Sequence, residues 1–169
     1  LYDYSKFNVK ELKVPTMEEY FDICNRNGCV AFVELKEDKG VIEAMINAIE
    51  KYGMQDRCVI SSGNLALLEA YRAAGGKEVI HLIFAKPEQI RRVQELGNAS
   101  VSFKYSDLSA EVDLEIAGVK IDSFKQLVDH MHSLGIRICF RAADTQEDAL
   151  KMIEYGTDYM PSNVKTTIE

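Results

Sequence analysis

The chain has 169 residues, 47% of them hydrophobic and 28% charged, with a formal net charge of −7. That length suits one domain with a sizeable core. No apolar run approaches the length of a membrane span, and the acidic balance argues against a general binder of nucleic acid or anionic membranes. It does not forbid an anionic substrate, because a bound cation can reverse the local field.

Leu1-Tyr2-Asp3-Tyr4-Ser5 has neither the basic region nor the apolar core of a signal peptide. The chain begins without Met, as a processed or partial chain does. Its four cysteines, Cys24, Cys29, Cys58 and Cys139, contain no C-x-x-C pair. With three scattered histidines, no zinc site is expected. Free thiols suit a reducing compartment and so a cytoplasmic location, a secreted or surface form remaining open.

Residues 1–14 show no clear period. Pro15-Thr16-Met17-Glu18-Glu19 predicts a helix start, with Thr16 as cap and Glu19 reaching back to it. Met17, Tyr20, Phe21 and Cys24 form the apolar stripe, and Gly28 ends the helix. Cys29–Val33 is a continuous apolar run that predicts a buried strand, closed by Glu34, Leu35 and Lys36. A helix over 40–52 follows, with Val41, Met45, Ile49 and Tyr52 on one face. The same sentence then repeats: strand 57–62 and helix 64–74; strand 79–84 and helix 88–96; strand 100–103. A longer connection over 104–120 carries Asp107, Glu111, Asp113 and Glu115, read as a solvated face. Helix 122–134, strand 136–140, helix 145–155 and a last strand at Tyr159-Met160 complete the chain. Asp144-Thr145-Gln146-Glu147 reads as a second capping box.

Six short apolar strands thus alternate with amphipathic helices, which demands a parallel sheet covered by helices. No G-x-G-x-x-G or G-x-x-x-x-G-K-[ST] follows any strand, so the usual nucleotide-binding versions are set aside. Regular units and one-way winding favour a barrel, although six strands are two short of a (β/α)8 barrel.

Barrel chemistry sits at C-terminal strand ends. These carry Glu34 and Lys36, Ser61-Ser62-Gly63-Asn64, Ala85-Lys86, Lys104-Tyr105-Ser106, Phe140-Arg141 and Ser162-Asn163. Residues alternate along a strand, so Glu34 and Lys36 project to one side. A carboxylate, ammonium groups, hydroxyls, an aromatic and an amide on one mouth suit a phosphate-bearing, hydroxylated ligand. A single carboxylate is too few for a divalent cation. His81 lies in an apolar strand and reads as a satisfied core residue. His130 and His132 are roughly 200° apart around a helix and cannot chelate one ion.

Five segments together resemble the glycerophosphodiester phosphodiesterase family. Pro15–Glu19 resembles that family's P-T-L-E-E helix start, and Val33-Glu34-Leu35-Lys36 resembles its E-[IL]-K strand end. Ile60-Ser61-Ser62 resembles its I-S-S-F strand. Gly135–Phe140 resembles the G-x-x-V-x-x-W segment, and Tyr155–Asn163 resembles the closing G-V-D-G-I-x-T-[DN]. The resemblance spans nearly all of residues 11–163, in order.

The resemblance implies a (β/α)8 TIM barrel, here incomplete, with the last six strands of eight in one N-terminally truncated domain. It implies metal-dependent hydrolysis of a small-molecule glycerophosphodiester to glycerol 3-phosphate and an alcohol, with Ca2+ or Mg2+ as cofactor. Glu34 inherits a metal ligand's role and Lys36 the catalytic phosphate contact. Ser62, Phe140 and Arg141 are the expected substrate-binding residues, Phe140 standing where a Trp usually lines the glycerol side. Two departures matter. Arg141-Ala142-Ala143 replaces T-V-N and Gly63 replaces the Phe of S-F. The family's H-R-G strand, E-x-D metal pair and second catalytic His would precede Pro15, so this chain alone is expected to be inactive. An open barrel exposes two sheet edges, which leaves three explanations: an ordered part of a longer chain, a deliberate fragment, or a homo-oligomer whose chains complete each other. The rival functional reading is a non-catalytic barrel module that binds a phosphorylated or glycan ligand.

Overall fold

The computed structural model describes residues 13–38, 40–104, 108 and 110–164. Helix α1 (Met17–Asn27) begins at the predicted capping box: the Thr16 hydroxyl accepts from the Glu19 amide at 3.2 Å, and the Glu19 carboxylate accepts from the Thr16 amide at 3.0 Å. Gly28 closes it at φ 64, a conformation cheap for glycine, and its N–H returns to the Cys24 and Asn25 carbonyls. Phe21 and Cys24 face inward, while Tyr20 stays at the surface and accepts from the Phe32 amide through its hydroxyl.

Strand β1 (Ala31–Glu34) leads to α2 (Val41–Lys51), β2 (Cys58–Ser62), α3 (Leu65–Ala73), β3 (Val79–Leu82), α4 (Ile90–Leu96) and β4 (Ala99–Phe103). In α2 the inward face is Ile42, Met45 and Ile49, and the expected Val41 is exposed. The connection predicted to be irregular contains a hairpin, β5 (Leu114–Ile116) and β6 (Val119–Ile121). Ala117 and Gly118 at its tip both have positive φ, 54° and 84°, as a two-residue turn between twisted strands requires. Glu111, Asp113 and Glu115 are exposed, and Asp107 lies outside the described residues. Helix α5 (Phe124–Ser133), strand β7 (Arg137–Phe140) and helix α6 (Gln146–Tyr155) follow. The cap of α6 is shifted by one from expectation: Thr145 accepts from the Asp148 amide, and Asp144 sits outside the helix, where it accepts from Asn163.

The main sheet is parallel, in the order β1-β2-β3-β4-β7. Each strand joins the sheet beside its predecessor, so there is no reversal of the kind that defines a doubly wound sheet. This is a partial (β/α)8 barrel. Among the described residues the main sheet has five strands rather than the expected six. Tyr159-Met160 runs beside β7 without a ladder: the Asp158 amide donates to the Ile138 carbonyl at 2.9 Å and the Ala143 amide to the Pro161 carbonyl at 2.8 Å. Pro161 has no amide hydrogen to give, which interrupts any ladder there.

Register fixes the two faces. Ala31, Cys58, Ile60, Ile80, Leu82, Val101, Ile138 and Phe140 point outward and pack beneath the helices in the main core. Phe32, Glu34, Ser61, His81, Ser102 and Cys139 point to the other face. That face is strongly curved. Four strand spacings of ~4.8 Å would hold β1 and β7 about 19 Å apart in a flat sheet. Yet the ring of Phe32 on β1 lies 6.5 Å from that of Tyr159, beyond β7.

Most exposed large apolar side chains lie on the two flanks of this arc: Val14, Tyr20, Ile23, Val30 and Phe32 at one end, Leu150, Ile153, Met160 and Val164 at the other. No helix among the described residues is long and apolar enough to cross a membrane.

Between α3 and β3 the backbone passes close to Tyr71, which is fully buried and donates its hydroxyl to Glu78. A Cβ at Gly76 would sit 2.2 Å from the Tyr71 ring. Since that ring is anchored at both ends, Gly76→Ala is expected to lower stability by about 1–3 kcal/mol, read as an earlier denaturation midpoint. An unchanged midpoint would show that the ring can move.

Candidate ligand-binding site

The inward face of the arc, at the C-terminal strand ends, encloses a cavity of about 580 Å³. Its walls are Phe32 and Glu34 from β1, Ser61 from β2, His81 from β3 and Ser102 from β4. Cys139 and Arg141 follow from β7, and Tyr159 to Pro161 from the segment beside it. Period-two alternation selects these residues. Glu34 pairs in register with Ser61, Ser61 with His81, and His81 with Ser100, so one layer of the inner face is read across four strands.

Glu34 stands in this cavity as expected, and Lys36 forms an ion pair with it. Both are well exposed, Lys36 by 75% and Glu34 by 41% of the side chain, so neither is buried by the described chain. Leu35 between them turns into the core. Arg141 also reaches the cavity, its guanidinium 5.8 Å from the centre of the Phe84 ring.

Two expected substrate contacts are corrected. Phe140 is fully buried on the helix side, its ring edge-on to Phe124 at 5.2 Å. Adjacent residues of a strand face opposite ways, so Arg141 and Phe140 cannot both line the mouth. Ser62 is likewise turned outward: its hydroxyl donates to the Leu35 carbonyl at 2.8 Å and accepts from the Asn64 amide at 3.1 Å. It splices the end of β1 to the start of α3. Its neighbour Ser61 takes the cavity position, with its hydroxyl on the Val33 carbonyl at 3.2 Å.

His81 is buried as expected, and it also belongs to the cavity wall. Its Nδ1 lies 2.8 Å from the Ser100 hydroxyl, and its ring is edge-on to Phe32 at 5.2 Å and to Tyr159 at 6.4 Å. Burial without a counter-charge lowers its pKa to about 4, so it is neutral at pH 7. Burial pushes the Cys139 thiol up to about 12, which keeps it protonated. His130 meets the Ile116 carbonyl at 3.1 Å and His132 meets Asp158 at 2.9 Å, both away from the cavity.

Among the described residues no group of three His, Cys, Asp or Glu side chains is placed to hold a metal ion. The cavity offers one carboxylate, Glu34, already paired with Lys36. A hard divalent cation takes six or more oxygens, so these residues by themselves do not make a Ca2+ or Mg2+ site.

The same fold occurs in three solved structures that carry the name glycerophosphodiester (or glycerophosphoryl diester) phosphodiesterase. The protein from Silicibacter pomeroyi superposes with a TM-score of 0.67 at 20% identity, over 88% of this chain and 52% of its own. That from Galdieria sulphuraria gives 0.70 at 21% identity, over 91% and 64%. That from Parabacteroides distasonis gives 0.69 at 16% identity, over 95% and 66%. This chain therefore spans about half to two-thirds of the structures it matches. No family model matches the sequence, and no curated protein does.

Phe140→Ala is expected to cost about 3–5 kcal/mol of stability, as a large core deletion does, measured by chemical denaturation. A variant of near-native stability would return Phe140 to the cavity. His81 gives a pH signature. Its folded pKa is depressed, so the unfolded chain takes up a proton near pH 6.5 that the folded chain refuses until about pH 4. Stability is full above that window and falls through it, by up to about 3 kcal/mol at its lower end. His81→Gln should flatten this part of the stability–pH curve; parallel curves for variant and parent would refute it.

Proposed function

We propose that this chain supplies the phosphate-binding wall of a glycerophosphodiester-hydrolysing barrel. The observation that carries the reading is the convergence of Glu34 and Arg141 on one cavity at the C-terminal ends of parallel strands, with Lys36 paired to Glu34. The likeness in fold to three proteins named for that activity supports it. In this reading the Lys36 ammonium and the Arg141 guanidinium hold the phosphodiester oxygens. Fixed in place, they stabilise the charge that builds on the pentacoordinate transition state without reorganising. Ser61 and the rings of Phe32 and Tyr159 shape the pocket for the glycerol and alcohol arms. Glu34 is the carboxylate this chain would contribute to a Ca2+ or Mg2+ ion, with the other ligands coming from outside the described residues.

One observation favours the second reading, a barrel module that binds a phosphorylated or glycan ligand without cleaving it. None of the described histidines stands free in the cavity to move a proton: His81 is neutral and bonded to Ser100, and His130 and His132 are engaged elsewhere. Hydrolysis then requires an acid–base pair supplied from beyond this chain.

The intact protein, assayed by coupled detection of glycerol 3-phosphate with Ca2+ and with chelator, separates the two. Release of glycerol 3-phosphate supports hydrolysis. Calorimetric binding of glycerophosphoglycerol with no release supports the binding module. Lys36→Ala is expected to lower kcat/KM about 100-fold, the cost of one preorganised charge at the transition state; a loss below threefold would remove Lys36 from the site.

A further inference from the structure

Phe84 follows β3 and has φ 55, a left-handed backbone that an aromatic residue rarely adopts. The conformation is held by the Ser102 hydroxyl, which accepts from the Phe84 amide at 3.1 Å. It places the ring beneath two cations, Lys104 at 6.0 Å and Arg141 at 5.8 Å from the ring centre. These three residues, with Ala142, Asp144, Asp148 and Asn163, line a second hollow of about 350 Å³ that adjoins the main cavity through Phe84 and Arg141.

The four charges of this hollow are not equivalent. Asp144 has both oxygens occupied: one accepts from the Asn163 amide at 2.7 Å and the Ser162 hydroxyl at 3.3 Å, the other from the Asn163 side-chain amide at 2.8 Å. Those bonds, with a smaller effect from the Arg141 charge, hold its carboxyl below the usual range. Asp148 accepts from the Thr145 hydroxyl at 2.7 Å. The cations are different. Among the described residues, the N–H groups of Lys104 and Arg141 meet a ring face and no hydrogen-bond acceptor. A carboxylate with both oxygens engaged, beside cations whose N–H groups have no acceptor among the described residues, suits a ligand that brings acceptors and negative charge.

We propose that Lys104, carried on Phe84 beside Arg141, forms a second anion subsite that takes a phosphomonoester on the alcohol arm of the substrate. Arg141, which lines both hollows, lies between the two phosphates and shares the phosphodiester with Lys36. The inference rests on the reading above and narrows it: the preferred substrates are glycerophosphodiesters whose alcohol is itself phosphorylated.

The test is calorimetric titration of the intact protein with two probes, glycerophosphoglycerol and its terminal phosphomonoester. The second phosphate should tighten binding about tenfold at low salt, the contribution of one charge-assisted contact at a partly exposed site. The gain should shrink as salt is raised. Lys104→Ala should bring the affinity ratio of the two probes close to one. Lys36→Ala should weaken both probes and keep the ratio. Equal affinities in the parent protein, or a ratio that survives Lys104→Ala, would overturn the subsite and leave the first reading standing. Binding of neither probe would overturn both.

Discussion

Everything in the cavity depends on the in-phase registry of five parallel strands. Parallel ladders leave no freedom in which side chain faces which way. Once Glu34 is opposite Ser61 and Ser61 opposite His81, the inner face is determined strand by strand. The outer face then collects Ile60, Ile80, Val101, Ile138 and Phe140 under the helices. A slip of one residue on any strand would move a charged or hydroxyl group into the core and an aliphatic one into the cavity. The burial of the outer face is the force that fixes the site.

That constraint explains where the sequence was readable. Strand and helix alternation, the capping box at Thr16 and Glu19 and the glycine after α1 are local signals, and each appears where the residues place it. Glu34 could be located because it follows directly on an apolar run and ends a strand. At Ser61-Ser62 the reading took the wrong neighbour, and at Phe140-Arg141 it took both residues where only Arg141 faces the cavity. Composition around a strand end does not state which of two neighbours points inward; the ladder partner does, and that partner is distant in sequence. The hairpin at 114–121 was missed because Ala117 gives no warning of a positive φ.

His81 shows a different limit. An imidazole among aliphatic residues reads as core, and it is buried, yet its exposed edge forms the cavity wall with Phe32 and Tyr159. Those rings come together because the sheet curls, a property of strand twist and helix packing rather than of any short motif. Phe84 is similar. Nothing in its local sequence announces a left-handed backbone, and only the coordinates set its ring beneath Lys104 and Arg141.

The meeting of Phe32 and Tyr159 reaches further than the wall it builds. It joins the first strand to the segment after the last helix, so the pocket does not exist until the whole arc has closed. Closing so long a stretch of chain carries an entropy that grows with its logarithm, and no shorter stretch brings the two ends of the wall together. A molecule seated there acts as a clasp across the polypeptide, and its binding free energy is shared by every strand between the two rings.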